Sequence, residues 1–571
     1  MDVGAARKEA IASALFDALK NKKLKLEKAD VLKKIQTPPS PELGDYCFPC
    51  FFLASLLKEE PDEIALELRS NLKLPKGFKD VQTQGAYINF FIDREKLVSE
   101  IIPVILSKKE KFGSSDEGKN KKIMVEFSQA NTHKAFHVGH IRGTSLGESL
   151  ARIIEFSGSR VIRANYQGDS GMHVAKWIWC FRKYHAREKL KNDESWIASV
   201  YVDAVRRLER NKKLQEEVNA INKKLESGED KELNELWKKT RELSLNSLGA
   251  IYKQLNTHFD FYYFEKDMEA KGKEIVESMV KKKFARKSEG AVIIDLQEYN
   301  LGIWVLIRQD GTILYSAKDL ALAEKKFSEH PDLDNSLYVI ASEQDFHFKQ
   351  LVKTLDIIGF RQSGKLGHIS YGVVRLPEGK MSSRTGNNIL YSDFLEKVVS
   401  HAKKEIRKRE KGLSAKELGE RALKVSIAAI KYDMLKQDEH KNIIFDIKES
   451  LNFEGNSGPY IQYSYARARS ILKKSKKPNA SKPKVLESKE IELIKKLSEF
   501  PEIVSKAYNS LSPSYIANYA YQLSQVFNEF YHQCPVIKSK NEGFRLSLVE
   551  SFMHVVKNSL YLLGIDVLER M

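Results

Sequence analysis

The stretch IMVEFSQANTHKAFHVGHIRGTSLGESLARIIEFSGSRVIRAN, residues 123–165, decides the fold. Ile123 to Phe127 is an apolar run of strand length, and the loop SQANTHKAF that follows has no apolar period. Beyond it Leu146, Leu150, Ile153 and Ile154 recur at helical spacing on one face, and Gly158 supplies a stop. A second strand pattern, Val161 to Asn165, follows at once. Strand, helix and strand in this rhythm predict a βαβ unit of a parallel sheet, whose ligands bind beyond the carboxyl ends of the strands. A nucleotide-binding fold is expected before any motif is considered.

Upstream, KFGSSDEGKNKK (111–122) is rich in Gly, Ser and charge without apolar periodicity, and is expected to link two domains. Before it come helical patterns at 4–20 and 59–72 and a strand, GAYINFFI, in which Tyr87, Asn89 and Phe91 alternate with Ile88, Phe90 and Ile92. Downstream, 185–260 is charged helical sequence, and strand and turn patterns return in GAVIIDL (290–296), IWVLIRQDGTILY (303–315) and LYVIAS (337–342). From 412 onward the patterns are helical, broken by a lysine-rich stretch with two prolines at 473–484 that reads as a hydrated loop. The expected architecture is multidomain α/β: a small N-terminal α/β domain (1–111), a Rossmann-like parallel-sheet domain (120–411) and an all-α C-terminal domain (412–571).

Composition agrees with this division. At about 100–200 residues per domain, 571 residues make several units, and 42% hydrophobic residues with 15 prolines exclude general disorder and collagen. The longest nearly apolar run, Phe48 to Leu57, falls short of the roughly 18 residues of a membrane span, so no membrane partner is expected. The N-terminus reads straight into an amphipathic helix, which points to the cytoplasm. With 95 Lys plus Arg against 77 Asp plus Glu, the net charge of +18 points to a polyanionic partner, nucleic acid before an acidic membrane, although a lysine-rich composition alone produces the same excess. Four cysteines are too few for a disulfide scaffold; Cys47 and Cys50 form a CxxC, but Cys180 and Cys534 stand apart, and core packing is expected for the pair.

Two motifs carry chemistry. His137-Val138-Gly139-His140 lies between a predicted strand and a predicted helix, where imidazoles can donate to phosphate beside free helix amides and Gly139 permits close approach. Without an HExxH or a nearby third ligand no metal site is expected. Far downstream, Lys380-Met381-Ser382-Ser383-Arg384 combines an ammonium with hydroxyls in a loop, a set suited to the β and γ phosphates of ATP; alone it reads equally as a solvated basic loop.

In this order and at this separation the two motifs resemble the HIGH and KMSKS signatures of class I aminoacyl-tRNA synthetases. The surrounding segments, EFSQANTHKAFHVGHIRGTSLGESLARI, NYQGDSG, DGTILYSAKDLA and EQDFHFKQL, are similar to those of the arginyl-tRNA synthetase family. PELGDYCFPCFFLA and GAYINFF resemble that family's additional tRNA-contacting domain, and the helical end, down to GIDVLERM, resembles its anticodon-binding domain. The departures include Val138 for Ile and a final Arg384 where the consensus has Ser.

The resemblance implies ATP-dependent activation of L-arginine to arginyl-adenylate and transfer to tRNA(Arg), with Mg²⁺ accompanying ATP, by a cytoplasmic monomer whose first step needs bound tRNA. His137, His140 and Lys380 are the implied catalytic residues, with Gly139, Ser382 and Ser383 also at ATP. Glu126, Asn131, Tyr315, Asp319 and Gln344 are the implied arginine-binding residues, and Tyr315 and Asp319, four apart, share a face if the segment after DGT is helical. A guanidinium is planar and permanently charged, so its recognition needs a fixed carboxylate. Tyr460, Tyr463 and Arg467 fall on one face of a helix opened by Gly458-Pro459 and capped by Asn456 or Ser457; by spacing alone a core stripe is the commoner meaning, and the resemblance assigns them, with Met571, to the anticodon. Three other readings stay open: a different class I synthetase, a non-catalytic tRNA-binding relative, and a small HxGH nucleotidyltransferase, against which the extra terminal domains weigh.

Overall fold

A computed structural model of the chain describes residues 3–22, 24–377, 390–475 and 485–570. Lys380, Ser382, Ser383, Met571 and most of the lysine-rich stretch lie outside the described residues.

The N-terminal strands β1 (Tyr46–Pro49), β2 (Phe78–Gln84) and β3 (Tyr87–Ile92) form an antiparallel sheet in the order β1-β3-β2. Ile88, Phe90 and Ile92 point into its core, while on the other face Tyr87 is exposed and Asn89 is buried. Cys47 and Cys50 are free and buried in this core.

The central sheet comprises β4 (Lys122–Glu126), β5 (Arg160–Gln167), β6 (Phe261–Phe264), then, after the antiparallel sheet of β7 (Arg286–Ser288), β8 (Ala291–Asp295) and β9 (Ile303–Ile307), β10 (Asn335–Ala341) and β11 (Leu366–Tyr371). Its order is β11-β10-β4-β5-β6, and every pairing is parallel. The chain leaves β4 toward one edge, then returns past it to β10. The topological switch therefore lies between β4 and β10, where a doubly wound sheet opens its ligand crevice.

Helix α1 (Val138–Phe156) crosses from β4 to β5. The sequence pattern predicts one apolar face, yet 15 of its 19 residues are buried. Burial all round is possible because the polar positions find distant partners. The Arg142 guanidinium donates to the carbonyls of Gly372, Lys441, Asp438 and Glu439, and Glu148 is shared by Arg152 and Arg163. A Cβ on Gly147 would lie 2.1 Å from Phe127 Cγ, so glycine here lets the helix seat against the sheet.

Three helices, Glu194–Arg210, Gln215–Ser227 and Lys231–Gln254, make up the charged segment. Helix α2 (Tyr315–Glu329) starts after the turn that follows β9, and α3 (Asp345–Ile357) follows β10. The C-terminal part is built on α4 (Ala415–Leu435), α5 (Gly458–Lys474), α6 (Ser514–Gln533) and α7 (Glu542–Leu562). One non-helical feature interrupts it: Ile443–Ile444 pairs in parallel with Val374–Arg375, beside the carbonyls held by Arg142. Ser457 caps α5, whereas Asn456 accepts from the Tyr432 hydroxyl. The expected linker begins packed rather than free, with Phe112 buried against Phe500 and its carbonyl bonded by Asn558 of α7. Among the described residues no helix is long and apolar enough to cross a membrane.

Candidate active site

The loop between β4 and α1 turns sharply, with Ser128, Gln129 and His133 at φ of 78°, 44° and 59°. It is tied to the end of β5: Thr132 donates to the Gly168 carbonyl from both its amide (2.9 Å) and its hydroxyl (3.2 Å). Buried His133 is fixed between Thr132 Oγ1 and Thr240 Oγ1 of the charged helices. A rigid loop thus delivers His137 to the N-terminus of α1.

His137 and His140 stack on one another, ring centroids 3.9 Å apart, and Phe136 stacks on His140 at 5.0 Å. The His137 amide donates to His140 Nδ1 (3.1 Å), so that nitrogen carries a lone pair and the ring's proton sits on Nε2. Burial, then the charge of Lys134, lowers His137 to about 4; burial, then His137 and Lys134, holds His140 well below the usual histidine range. Both rings are neutral hydrogen-bonding groups near pH 7. A Cβ on Gly139 would lie 3.1 Å from Cε1 and Nδ1 of His137, so the glycine accommodates that imidazole's own fold-back.

Leu390, the first described residue beyond the segment containing Lys380, forms a bridge with His137, and the Tyr391 amide donates to the Phe136 carbonyl (2.9 Å). Ser392 is held from the charged helices by Glu194 and Ser195.

A second group of side chains collects around α2. Tyr315 opens the helix and is 57% exposed; its ring meets His347 of α3 at 4.6 Å. Asp319, one turn on, accepts from His347 Nε2 (2.7 Å). Tyr166, on β5, has its phenol pushed well above its ordinary range by burial and then by the charges of Asp319, Glu265, Glu126 and Asp169. Burial, with Asp319 adding and Lys318 opposing, raises Glu265 to about 7, and burial raises Asp169 to about 6. Lys318 donates to Ser170 (2.9 Å), Glu269 (3.1 Å) and Glu265 (3.3 Å). The region is a cluster rich in carboxylates, several of them paired with neighbouring cations.

The remaining predicted arginine-side residues are placed differently. Glu126 is buried at the end of β4, with Oε2 bonded by Lys326 and Oε1 by Gln129 (3.1 Å). Asn131 packs its Oδ1 against Gly168, where a Cβ would come within 2.0 Å. Gln344 is exposed in the turn between β10 and α3.

On α5, Arg467 donates to Tyr463 Oη (3.2 Å) and to Asn528 Oδ1 of α6 (2.6 Å), while Asn528 Nδ2 donates to Tyr460 Oη (2.9 Å). The guanidinium also lies over the rings of Tyr463 (4.8 Å) and Tyr531 (5.3 Å). Tyr460, Tyr463 and Arg467 form one partly exposed aromatic and cationic face, as their spacing predicts.

Sequence reading misses His347, Glu265, Lys326, Asn528 and Tyr531. Only His347 carries a signal, its place in EQDFHFKQL, three residues after the turn that ends β10.

Comparison with known proteins follows the same layout. The family model described as "tRNA synthetases class I (R), catalytic domain" matches residues 101–447, "Arginyl tRNA synthetase N terminal domain" matches 6–92, and "DALR anticodon binding domain" matches 461–571. The arginine–tRNA ligase of Clostridium acetobutylicum is 37% identical over 96% of this chain and 98% of its own, and that of Clostridium perfringens 36% over 96% and 97%. Among solved structures, Thermus thermophilus arginyl-tRNA synthetase aligns over 99% of this chain and 100% of its own with a TM-score of 0.81 at 26% identity. The Plasmodium falciparum arginyl-tRNA synthetase, at 20% identity and a TM-score of 0.80 over 99% of each chain, shares the fold.

Proposed function

The chain belongs to the arginyl-tRNA synthetase family and has arginine–tRNA ligase function, and from that premise we propose how its residues divide the reaction. ATP lies across the N-terminus of α1, where the neutral imidazoles of His137 and His140 and the Lys134 ammonium face its phosphates; Gly139 leaves room for the His137 ring. L-arginine lies beside α2 with its guanidinium toward Asp319 and Tyr315, in the acidic surroundings that Glu265 and Asp169 sustain. Asn131 and Gln344 complete the amino-acid side from the loops after β4 and β10, while Glu126, already paired with Lys326, shapes that wall from behind.

The arginine carboxylate attacks the α-phosphorus in line, forming the carboxyl–phosphate bond and breaking the bond to pyrophosphate. The enzyme contributes position and charge rather than a nucleophile. The imidazole N–H groups donate to the α-phosphate oxygens, and Lys380, Ser382 and Ser383 stabilise the departing pyrophosphate; the described end of their segment, Leu390, is tied to His137. Magnesium would accompany ATP as the counter-ion of its phosphates, while the groups described around His137 and His140 are donors suited to the anion itself. The 2′-hydroxyl of the terminal ribose of tRNA(Arg) then takes the arginyl group and AMP leaves, while Tyr460, Tyr463, Arg467 and Met571 hold anticodon bases. The expected setting is a monomer in the cytoplasm.

The observation that supports this reading is that the neutral donors follow β4 at the switch point of the parallel sheet, while His347, on the helix after the neighbouring strand β10, holds Asp319 of α2. Arginine-dependent pyrophosphate exchange, with and without tRNA(Arg) and with glutamate, glutamine, lysine and cysteine as controls, tests it. Exchange with arginine alone among the five, stimulated by tRNA(Arg), is expected; equal exchange with lysine refutes the pocket assignment.

A further inference from the structure

Asp319 does not stand alone on its helix face. Trp304, on β9 and 5% exposed, donates its indole N–H to His347 Nδ1 (3.3 Å). An indole nitrogen can only donate, so Nδ1 must present a lone pair. The single proton of the imidazole therefore sits on Nε2, aimed at Asp319 Oδ2 2.7 Å away. Tyr315 closes against the same ring at 61° to its plane and restricts its rotation. Among the described residues, Asp319 Oδ1 receives no donor.

Two consequences follow from this chain of donors. The Trp304 bond needs a lone pair on Nδ1, so the tautomer that fits this arrangement presents Nε2–H to Asp319. The Nε2 bond also pins one carboxylate oxygen, leaving the other in a fixed direction for a planar, multidonor group. A cationic imidazole in the same place would hold the carboxylate but repel a guanidinium.

We infer that His347 is a positioning residue for arginine selection: it orients the Asp319 carboxylate, and Trp304 sets the tautomer that makes this possible. The inference rests on the assignment of Asp319 to the guanidinium, and the experiment separates the two.

Pyrophosphate exchange with tRNA(Arg) present is measured for His347→Ala, His347→Gln, Trp304→Phe and Asp319→Asn, with KM for arginine and for ATP and the melting temperature of each. His347→Ala should raise KM for arginine roughly ten- to hundredfold, the effect of losing a hydrogen bond to a charged group, with KM for ATP and melting unchanged. Glutamine places an amide N–H where Nε2–H stood and should restore KM to within about threefold. Trp304→Phe, which frees the tautomer, should fall between them. An unchanged arginine KM in His347→Ala overturns the inference. So does His347→Gln as impaired as His347→Ala, which would make the role one of packing, or an equal rise in KM for ATP. If Asp319→Asn itself retains the native arginine KM, the underlying assignment fails; if it loses arginine use while His347→Ala does not, only the role of His347 fails.

Discussion

Lys431→Met isolates the energetic cost of one buried charge at the meeting point of three parts of the chain. Lys431, on α4, has no exposed surface; Nζ donates to the Leu255 carbonyl (2.8 Å), and a Cβ on Gly564 would lie 2.4 Å from it. Burial, with the charge of Arg152 adding and those of Glu148 and Asp566 opposing, lowers it from 10.5 to about 7. The folded pKa is depressed, so from about 7 to 10.5 the unfolded chain holds a proton that the folded chain has shed, and stability rises with pH across that window. The full cost applies at neutral pH and below. The difference converts to an upper bound of about 5 kcal/mol, and relaxation of the surroundings brings it to roughly 2–4 kcal/mol. Methionine has similar length without charge, but it leaves the Leu255 carbonyl without its donor, at about 1–3 kcal/mol. Near pH 7 the variant should therefore be more stable by about 1–2 kcal/mol, an increase in melting temperature of a few degrees for a cooperative unit of about 200 residues. Near pH 9.5 most of that advantage is gone and the missing hydrogen bond remains, so the gap should close or reverse. Melting curves of both proteins at the two pH values measure it. A gap of the same size and sign at both would refute the argument.

Three other substitutions or conditions test the site. Because His137 is held at about 4, kcat for pyrophosphate exchange at saturating arginine should show no acid limb centred in the ordinary histidine range; a limb near pH 6.5 that disappears in His137→Asn would contradict the neutral-imidazole reading. Gly139→Ala places a methyl 3.1 Å from the His137 ring and should lower kcat by about tenfold or more while melting changes little; native kcat would show that the ring's fold-back is dispensable. Asn528→Ala removes the anchor shared by Tyr460 and Arg467 and should raise KM for tRNA(Arg) roughly tenfold while KM for ATP and arginine stays put, as measured by aminoacylation; an unchanged tRNA KM would make that face a packing feature.

The βαβ unit is legible in residues 123–165 because a strand period, a helix period and a glycine stop are each properties of neighbouring residues. The aromatic face of α5 is legible for the same reason, since three residues at helical spacing need no distant partner to share a side. What sequence leaves out is where ionised groups are paired. Arg142 looks like a surface position of an amphipathic helix until the carbonyls of Gly372 and Lys441, 230 and 299 residues away, are placed around it. The resemblance singles out Glu126 at the end of β4, but not that its carboxylate meets Lys326, 200 residues on, a lysine the apolar pattern of α2 does not single out. The same division runs through the proposed catalytic and arginine-binding groups. HVGH is visible as a motif, but the neutrality of its rings comes from burial and Lys134; Asp319 is visible as a carboxylate, but its orientation comes from an imidazole on α3 and an indole on β9. Local sequence therefore identifies the groups proposed to face the substrates, and the packing of remote elements sets the hydrogen bonds that hold them. A substitution at Trp304, outside the segments that carry the family resemblance, should alter arginine selection for that reason.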